Sequence, residues 1–207
     1  MSRIPKVSSS HRKPALQSPI DPPATRPRIA WGITGSGHGL TESLDLARTL
    51  SDVDLFISAA GAEVLRMYGH DMRQLRARFT IYPDATASAA PVAHFYHGVY
   101  DSVVIAPATS NTVAKCALGI SDTLVTNIFA QAGKCRLPAI VFACDTEPEI
   151  ETEAPREWVT VWPRRIDLAH VATLRGFEGV TVVDSVAALA DAIRALRPGL
   201  APSRLDG

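Results

Sequence analysis

At 207 residues the chain is long enough for one domain with a substantial core, and its 21 lysines and arginines equal its 21 aspartates and glutamates in number. The charges are unevenly distributed along the chain. Residues 1–27 contain five bases and one acid, whereas residues 28–207 contain 16 bases and 20 acids. This acidic body argues against nucleic-acid binding, and no apolar run approaches the roughly 20 residues that a membrane helix needs.

Residues 1–27, at the start of the chain, are predicted to be a disordered tail. Six of the 15 prolines fall there beside a run of three serines, and such a segment cannot bury enough surface to offset its ordering entropy. The prolines also interrupt any apolar secretory signal, and the three cysteines form no Cys-x-x-Cys pair, so we expect a cytoplasmic protein. Residues 28–200 are then the folded domain, and residues 201–207 are a flexible C-terminus.

From Arg28 onward, short apolar runs alternate with stretches of helical period. The apolar runs predict buried strands at 29–33, 53–57, 102–106, 138–143 and 180–183. Apolar residues spaced three and four apart predict helices at 40–50, 62–68 with an extension to Leu75, 112–118, 123–132, 168–174 and 186–196. Residues 158–162 alternate in polarity, which is typical of an edge strand or a hairpin arm.

Strands that are apolar on both faces and alternate with helices indicate an α/β protein. Right-handed crossovers then give a three-layer, doubly wound parallel sheet of the Rossmann-like or flavodoxin-like kind, in a single domain. In such sheets the ligand lies beyond the carboxyl ends of the strands. We therefore expect the functional residues at those ends.

The first predicted strand ends in a glycine-rich segment at 32–39, with the sequence Gly-Ile-Thr-Gly-Ser-Gly-His-Gly. Glycines allow backbone N–H groups to converge, the following helix presents its positive end, and Thr34 and Ser36 add hydroxyl groups. This pattern predicts a cradle for a phosphate group, although a tight turn without a ligand would have the same spacing.

The residues that are missing narrow the choice of phosphate ligand. No lysine lies between Lys13 and Lys115, so a P-loop is excluded, and no tyrosine is followed four residues later by lysine, as a short-chain dehydrogenase would need. The second strand is followed by Ser58 instead of the acid that usually holds the ribose of NAD. The pattern favours a mononucleotide such as FMN over a dinucleotide.

The third predicted strand ends in Pro-Ala-Thr-Ser-Asn-Thr at 107–112. Pro107 is expected to stop the strand, and Ser110 or Asn111 is expected to cap the helix that follows. Four consecutive polar side chains exceed the needs of one helix cap. We therefore expect a ligand at this strand end too.

This third strand end resembles the Pro-Ala-Ser-Ala-Asn-Thr signature of the homo-oligomeric flavin-containing cysteine decarboxylase superfamily. The resemblance includes the Gly-Ile-Thr-Gly-Ser segment at 32–36 and covers residues 28–145. It implies FMN as the cofactor and a homo-oligomer built from trimers, with the flavin near a trimer interface. By position it implies FMN contacts from Thr34, Gly35, Ser36, His38, Ser58, Ala108, Thr109, Ser110, Asn111, Thr112 and Cys144.

Two segments depart from the decarboxylases of this superfamily. Those enzymes have a histidine in a His-Ile-x-Leu segment before the third strand, whereas here the segment that contains His94 is one residue shorter. They also carry a Pro-x-Met-Asn-x-x-Met-Trp clamp, where this chain has Ala-Cys-Asp-Thr-Glu-Pro at 143–148. Residues 95–101 and 164–183 instead resemble the archaeal-type flavoproteins of the superfamily, a branch that includes an FMN-dependent dihydromethanopterin reductase.

This resemblance implies an oxidoreductase that reduces dihydromethanopterin to tetrahydromethanopterin in one-carbon metabolism. The electrons would come from an external donor, either an electron-donor protein or a reduced flavin or nicotinamide. Asn111 is expected to stabilise the flavin, and Asp145 or a water to supply the proton. An FMN-holding electron-transfer protein or regulatory subunit is the alternative, followed by a cysteine decarboxylase or flavin prenyltransferase. No metal site is predicted.

A few further side chains have two interpretations each. Lys115 would neutralise the phosphate or flavin, or would be an ordinary surface lysine. Asp122 is expected to cap the next helix together with Thr123. Trp158 and Trp162 share one face of a strand and are expected to pack, at a subunit contact.

Overall fold

The structure, a computed structural model, describes residues 27–84 and 92–198, which form a single domain. The disordered tail predicted over 1–27 lies outside these residues except for Pro27, and the flexible C-terminus predicted over 201–207 lies wholly outside them. In chain order the strands and α-helices are β1 (Arg28–Ile33), α1 (Leu40–Arg48), β2 (Val53–Ile57), α2 (Ala59–Met67), α3 (Met72–Arg78), β3 (Thr80–Pro83), β4 (Tyr100–Ala108), α4 (Ser110–Ala117), α5 (Leu124–Lys134), β5 (Ala139–Ala143), β6 (Ile150–Ala154), β7 (Glu157–Val161), α6 (Arg165–Arg175), β8 (Val180–Val183) and α7 (Val186–Leu196). A short 3-10 helix (His94–His97) precedes β4.

Six strands form one sheet in the order β3-β2-β1-β4-β5-β8, and every neighbouring pair is parallel. The remaining strands, β6 and β7, pair antiparallel as a separate hairpin. The sheet order reverses direction between β1 and β4, which is the topological switch point where ligands bind in open α/β sheets. The doubly wound parallel fold predicted from the sequence is confirmed.

Two hydrophobic clusters cover the two faces of the sheet, because side chains alternate along each strand. In β1, Trp31 faces the layer of α1 and α7, whereas Ala30 faces the layer of α4 and α5. The Trp31 indole is fully buried, and its Nε1 donates to the carbonyl of Ala106 over 2.9 Å. This bond ties β1 to β4 close to the switch point. Among the described helices, none has the length and hydropathy to cross a bilayer.

The structure corrects the predicted elements at several points. The helix predicted from residue 62 begins at Ala59 and is separate from α3. Strand β4 does not stop at Pro107, because the Pro107 carbonyl bonds to the end of β1 and pairing resumes between Ala108 and Ala143. β3 and β6 were not predicted, since both are short and partly exposed and lack a continuous apolar run. The hairpin arm predicted at 158–162 is confirmed as β7.

A buried carboxylate joins three strands at the opposite end of the sheet from the switch point. Asp54 accepts hydrogen bonds from Arg28 Nε over 2.9 Å and from the Tyr100 hydroxyl over 3.0 Å. Burial is the main reason why the pKa of Tyr100 lies well above its usual value, so this hydroxyl stays protonated and can always donate.

We expect Asp54→Ala to lower the free energy of unfolding by about 2–4 kcal/mol, because it leaves Arg28 and the Tyr100 hydroxyl without their acceptor. The control is Asp45→Ala, which removes an exposed ion pair to Arg48 within α1 and should cost about 0.5 kcal/mol or less. Urea unfolding measures both values. Equal losses in the two variants would contradict the role given to Asp54.

Candidate active site at the ends of β1 and β4

Thr34 fixes the distance between the ends of β1 and β4. Its hydroxyl donates to the Pro107 carbonyl over 2.7 Å and accepts from the Thr109 amide over 2.9 Å. The side chain is only 2% exposed. The structure therefore places Thr34 beneath the site, where it holds the two strand ends together.

Glycines bring the loop after β1 against the start of α2. A Cβ on Gly35 would lie 2.7 Å from the Cβ of Ala60, and one on Gly61 would lie 2.6 Å from the Ile33 carbonyl oxygen. Ser58 caps α2 by accepting from the Gly61 amide over 3.0 Å. Gly35, Ser58 and the first residues of α2 line a concavity at this point, where the glycine pattern predicts a phosphate cradle.

The start of α4 differs by one residue from the prediction. Thr109, not Ser110 or Asn111, caps the helix, with its hydroxyl accepting from the Thr112 amide over 3.2 Å and lying 3.1 Å from the Thr112 hydroxyl. Because Thr109 supplies the cap, the side chains of Ser110 and Asn111 are free for other contacts. Ser110 bonds to Asp145, and Asn111 is exposed at the mouth of the site.

Two cavities meet at this edge of the sheet, and both are lined by Gly35, Thr109 and Asn111. The first, of about 560 Å³, is also lined by Ser36, His38, Ser110, Cys144, Asp145, Ile150, Thr152, Val161, Trp162, Pro163, Arg164 and Asp167. The second, of about 410 Å³, is also lined by Thr34, Ser58, Ala59, Ala60, Asp84, Thr112, Lys115, Thr123 and Val125. The two cavities together form a continuous cleft across the ends of β1, β2, β4 and β5.

The two cavities have different electrostatic character. The second is lined by Lys115 as well as by Asp84, and it lies at the start of α2, where the first amides of a helix lack intrahelical acceptors and favour an anion. The first is lined by Asp145 and by Asp167, whose carboxylate is paired with Arg164. The residues present thus fit a phosphate-bearing ligand whose anionic end lies in the second cavity and whose uncharged part extends into the first.

Lys115 is held in place by an ion pair with Asp122, over 2.8 Å. The hydrogen bond from Lys115 holds the pKa of Asp122 below its usual value. Thr123 alone caps α5, in a reciprocal capping box with Thr126, so the prediction that Asp122 would help to cap this helix was wrong. Lys115 remains at the wall of the second cavity.

Asp145 follows β5 and is half-buried in the wall of the first cavity. The Ser110 hydroxyl donates to its Oδ2. Burial raises the pKa of Asp145, and the negative charge of Asp167 raises it further, while His38 and Arg164 partly oppose the shift. Asp145 therefore keeps its proton to a higher pH than an ordinary carboxyl group does.

Cys144 and His38 support the loop that follows β1. The Cys144 thiol donates to the Ser36 hydroxyl over 3.1 Å, and burial raises the pKa of Cys144 to about 12, so it is a neutral thiol and not a nucleophile. His38 Nδ1 lies 3.0 Å from the Thr152 hydroxyl in β6, and the His38 ring lies 5.7 Å from that of Phe142. These contacts connect the glycine-rich loop to β5 and to the hairpin.

Of the residues predicted to contact the cofactor, all but Ala108 line one of the two cavities. Ala108 is fully buried below them, and its carbonyl accepts from the Cys144 amide over 3.1 Å. The sequence prediction missed the wall formed by the hairpin and the start of α6. The sequence contains one signal for the start of α6, since Pro163 followed by Asp167 is typical of the beginning of a helix.

Arg164 and Asp167, at the start of α6, form part of the wall of the first cavity and are bonded to each other. Asp167 accepts from the Arg164 amide over 2.9 Å and from the guanidinium over 2.8 Å. The hydrogen bonds from Arg164 hold the pKa of Asp167 below its usual value. Asp167 is therefore a permanent negative charge near Asp145.

Comparison with known proteins identifies the family of this chain. The family model described as Flavoprotein matches residues 21–197. A dihydromethanopterin reductase (acceptor) of Methanosarcina mazei is 40% identical over 141 residues, covering 62% of this chain and 59% of the relative, and its Methanocaldococcus jannaschii counterpart is 34% identical, covering 60% and 56%. The chain thus spans less than two thirds of these relatives.

Among solved structures, Burkholderia xenovorans DmrB in complex with FMN, described as a cubic protein cage for redox transfer, is 54% identical with a TM-score of 0.78. The match covers 84% of this chain and 97% of that protein. A group of structures below 25% identity, which includes the FMN-binding protein AtHal3 with a TM-score of 0.61, shows the same fold. From the extent of the family match, this chain belongs to the flavoprotein family.

Proposed function

We propose that this protein is an FMN-dependent oxidoreductase that reduces dihydromethanopterin to tetrahydromethanopterin with electrons from an external donor. The observation that carries the proposal is the position of Asp145, a carboxyl group with a raised pKa, in a cavity that is also lined by Gly35 and Asn111. The relatives named for this reaction support it, as does the similarity to a protein solved with FMN.

The cofactor is FMN, in agreement with the sequence prediction and the family. When bound, FMN supplies the hydride chemistry, and the protein supplies binding, orientation and electrostatics. We assign the phosphate to the second cavity, with Ser58, the first amides of α2 and Lys115 as its partners. Gly35 permits close approach of the backbone to FMN, and the Asn111 amide and the Ser36 hydroxyl orient the rest of the cofactor.

Asp145 and Ser110 form the proton-supplying pair. Reduction of a carbon–nitrogen double bond requires one proton at the nitrogen, and a raised pKa makes a carboxyl group better suited to act as the general acid. The Ser110 hydroxyl donates to one oxygen of Asp145 and so fixes the orientation of the carboxyl group, while the other oxygen takes no part in this hydrogen bond. We therefore assign Asp145 as the proton donor and Ser110 as the residue that positions it.

The negative charge of Asp167 should set the pH range of the reaction. Asp167→Asn removes a negative charge that raises the pKa of Asp145, while the positive charge of Arg164, which lowers that pKa, remains. The pKa of Asp145 therefore falls, so the loss of rate at alkaline pH should begin at a lower pH in this variant. The pH dependence of kcat measures the shift, and an unchanged or upward-shifted limb would contradict the assignment of Asp145.

Asn111→Ala should weaken FMN retention by about tenfold, because one hydrogen-bonding group at the junction of the two cavities is lost. The comparison variant is Thr160→Ala, which removes an exposed polar side chain from β7 outside both cavities. Flavin fluorescence during titration of the flavin-free protein gives both affinities. An Asn111→Ala variant that binds FMN as tightly as Thr160→Ala would argue against this position for the cofactor.

The proposed reaction is tested by reducing the bound flavin under anaerobic conditions and then adding a dihydropterin. We expect the flavin absorbance near 450 nm to return within the turnover time, on the order of seconds or less. If the dihydropterin leaves the absorbance unchanged while an oxidised electron-carrier protein restores it, the chain is an electron-transfer protein instead of a pterin reductase.

We also propose a homo-oligomer built from trimers, by analogy with the cage formed by the Burkholderia protein. Exposed apolar side chains support it, among them Leu118 and Ile120 after α4. Light scattering during gel filtration should give a mass that is a multiple of three chains, and a monomer would contradict it. The electron donor and the cytoplasmic location remain predictions.

A further inference from the structure

Trp162 presents a large apolar ring to the wall of the first cavity. Its side chain is 69% exposed although indole is among the most costly groups to leave in water. The sequence prediction places Trp158 and Trp162 at a subunit contact, and within the described part of this single chain both side chains are exposed. Only Trp162 lines the cavity that also contains Asn111 and Asp145.

The backbone on both sides of Trp162 is fixed. Val161 pairs with Ile150 in the hairpin, and Pro163 restricts the residue before it to extended conformations. The hairpin is joined to the body by a hydrogen bond from the Tyr68 hydroxyl to the Glu153 carbonyl over 2.7 Å. The indole is therefore held on a rigid support, as a ring that positions another molecule must be.

The other walls of the first cavity define the chemistry of that molecule. Ile150 and Val161 are apolar, whereas the carboxyl groups of Asp145 and of Asp167, which is paired with Arg164, have oxygens that accept N–H donors. A flat ring with N–H groups on its edge can stack on the indole of Trp162 and donate hydrogen bonds to the carboxyl groups. A phosphate or a carboxylate cannot do both.

We infer that Trp162 is the residue that positions the substrate, by stacking its indole on the pterin ring in the first cavity. The inference rests on the proposed function, since it places the pterin beside the residues assigned to hold the flavin and deliver the proton. Aromatic rings stack with their faces offset, and such stacking stabilises a complex in addition to the burial of ring surface.

The experiment measures the dissociation constant of 6-methylpterin by calorimetry with the oxidised, FMN-loaded protein, in which no reduction can occur. Trp162→Ala should raise this constant by about tenfold, and Trp162→Phe should recover most of the affinity. The matched control is Trp158→Ala, because Trp158 is 70% exposed on the same hairpin but lies outside the cavity. We expect it to bind the pterin like wild type.

FMN affinity and native mass are measured on the same variants. If the pterin constant of Trp162→Ala is unchanged, or if the variant loses FMN or changes its oligomeric mass instead, the inference is overturned and the proposed function stands. If the wild-type protein retains FMN but binds no pterin, the proposed function is contradicted and the inference with it. Loss of pterin affinity alone, with recovery by phenylalanine, supports the inference.

Discussion

Gly35→Val should raise the dissociation constant of FMN by on the order of a hundredfold. A Cβ at this position lies 2.7 Å from the Cβ of Ala60, so the branched side chain must displace the start of α2. That displacement moves the first amides of α2, which we assign to the phosphate, and fills the junction between the two cavities. Titration of the flavin-free protein with FMN, followed by fluorescence, measures the change.

The control for this prediction is Gly133→Val in α5, because a Cβ there meets no atom within 4 Å. It should bind FMN like wild type. Gly35→Ala makes the same contact with a smaller side chain and gives an intermediate loss if the valine variant does not fold. A folded Gly35→Val protein with wild-type affinity for FMN would show that the cofactor does not lie against this loop.

Asp145→Asn should lower kcat for dihydropterin reduction by roughly a hundredfold or more, the usual cost of losing a general acid. The amide cannot deliver a proton but keeps the size of the side chain and the contact to Ser110. FMN affinity should stay within about twofold of wild type, because Asp145 lies in the cavity that the phosphate avoids. Anaerobic stopped-flow measurement of flavin reoxidation by the dihydropterin gives the rate.

Asp184→Asn is the matched control, since Asp184 directly follows β8, the neighbour of β5 in the sheet, but is exposed and outside both cavities. We expect wild-type rates from it. An Asp145→Asn enzyme with a wild-type rate and an unchanged pH profile would mean that water or another group donates the proton.

The sequence predicted the parallel sheet and the two strand ends that form the site, because both depend on local patterns. Buried parallel strands are continuous apolar runs, such as residues 139–143, and a glycine-rich turn such as 32–39 is visible without any knowledge of the rest of the chain. The switch point then follows from the fold, since it brings the ends of β1 and β4 together.

The wall formed by the hairpin could not be predicted in the same way. The pattern at 158–162 indicated one strand, but the sequence does not show that the hairpin folds over His38 and Tyr68, because those contacts join residues more than 80 positions apart. Trp162 was therefore assigned to packing, as most tryptophans are. The identity of the α4 cap depended on whether β4 continues past Pro107, which the pairing with β5 decides.

The most direct test of the central claim, that the ends of β1 and β4 form one flavin site, is titration of the flavin-free wild-type chain with FMN. We predict saturation at one FMN per chain and a yellow protein that keeps its colour through gel filtration. A protein that stays colourless with excess FMN, although it is folded and assembled, would contradict the account.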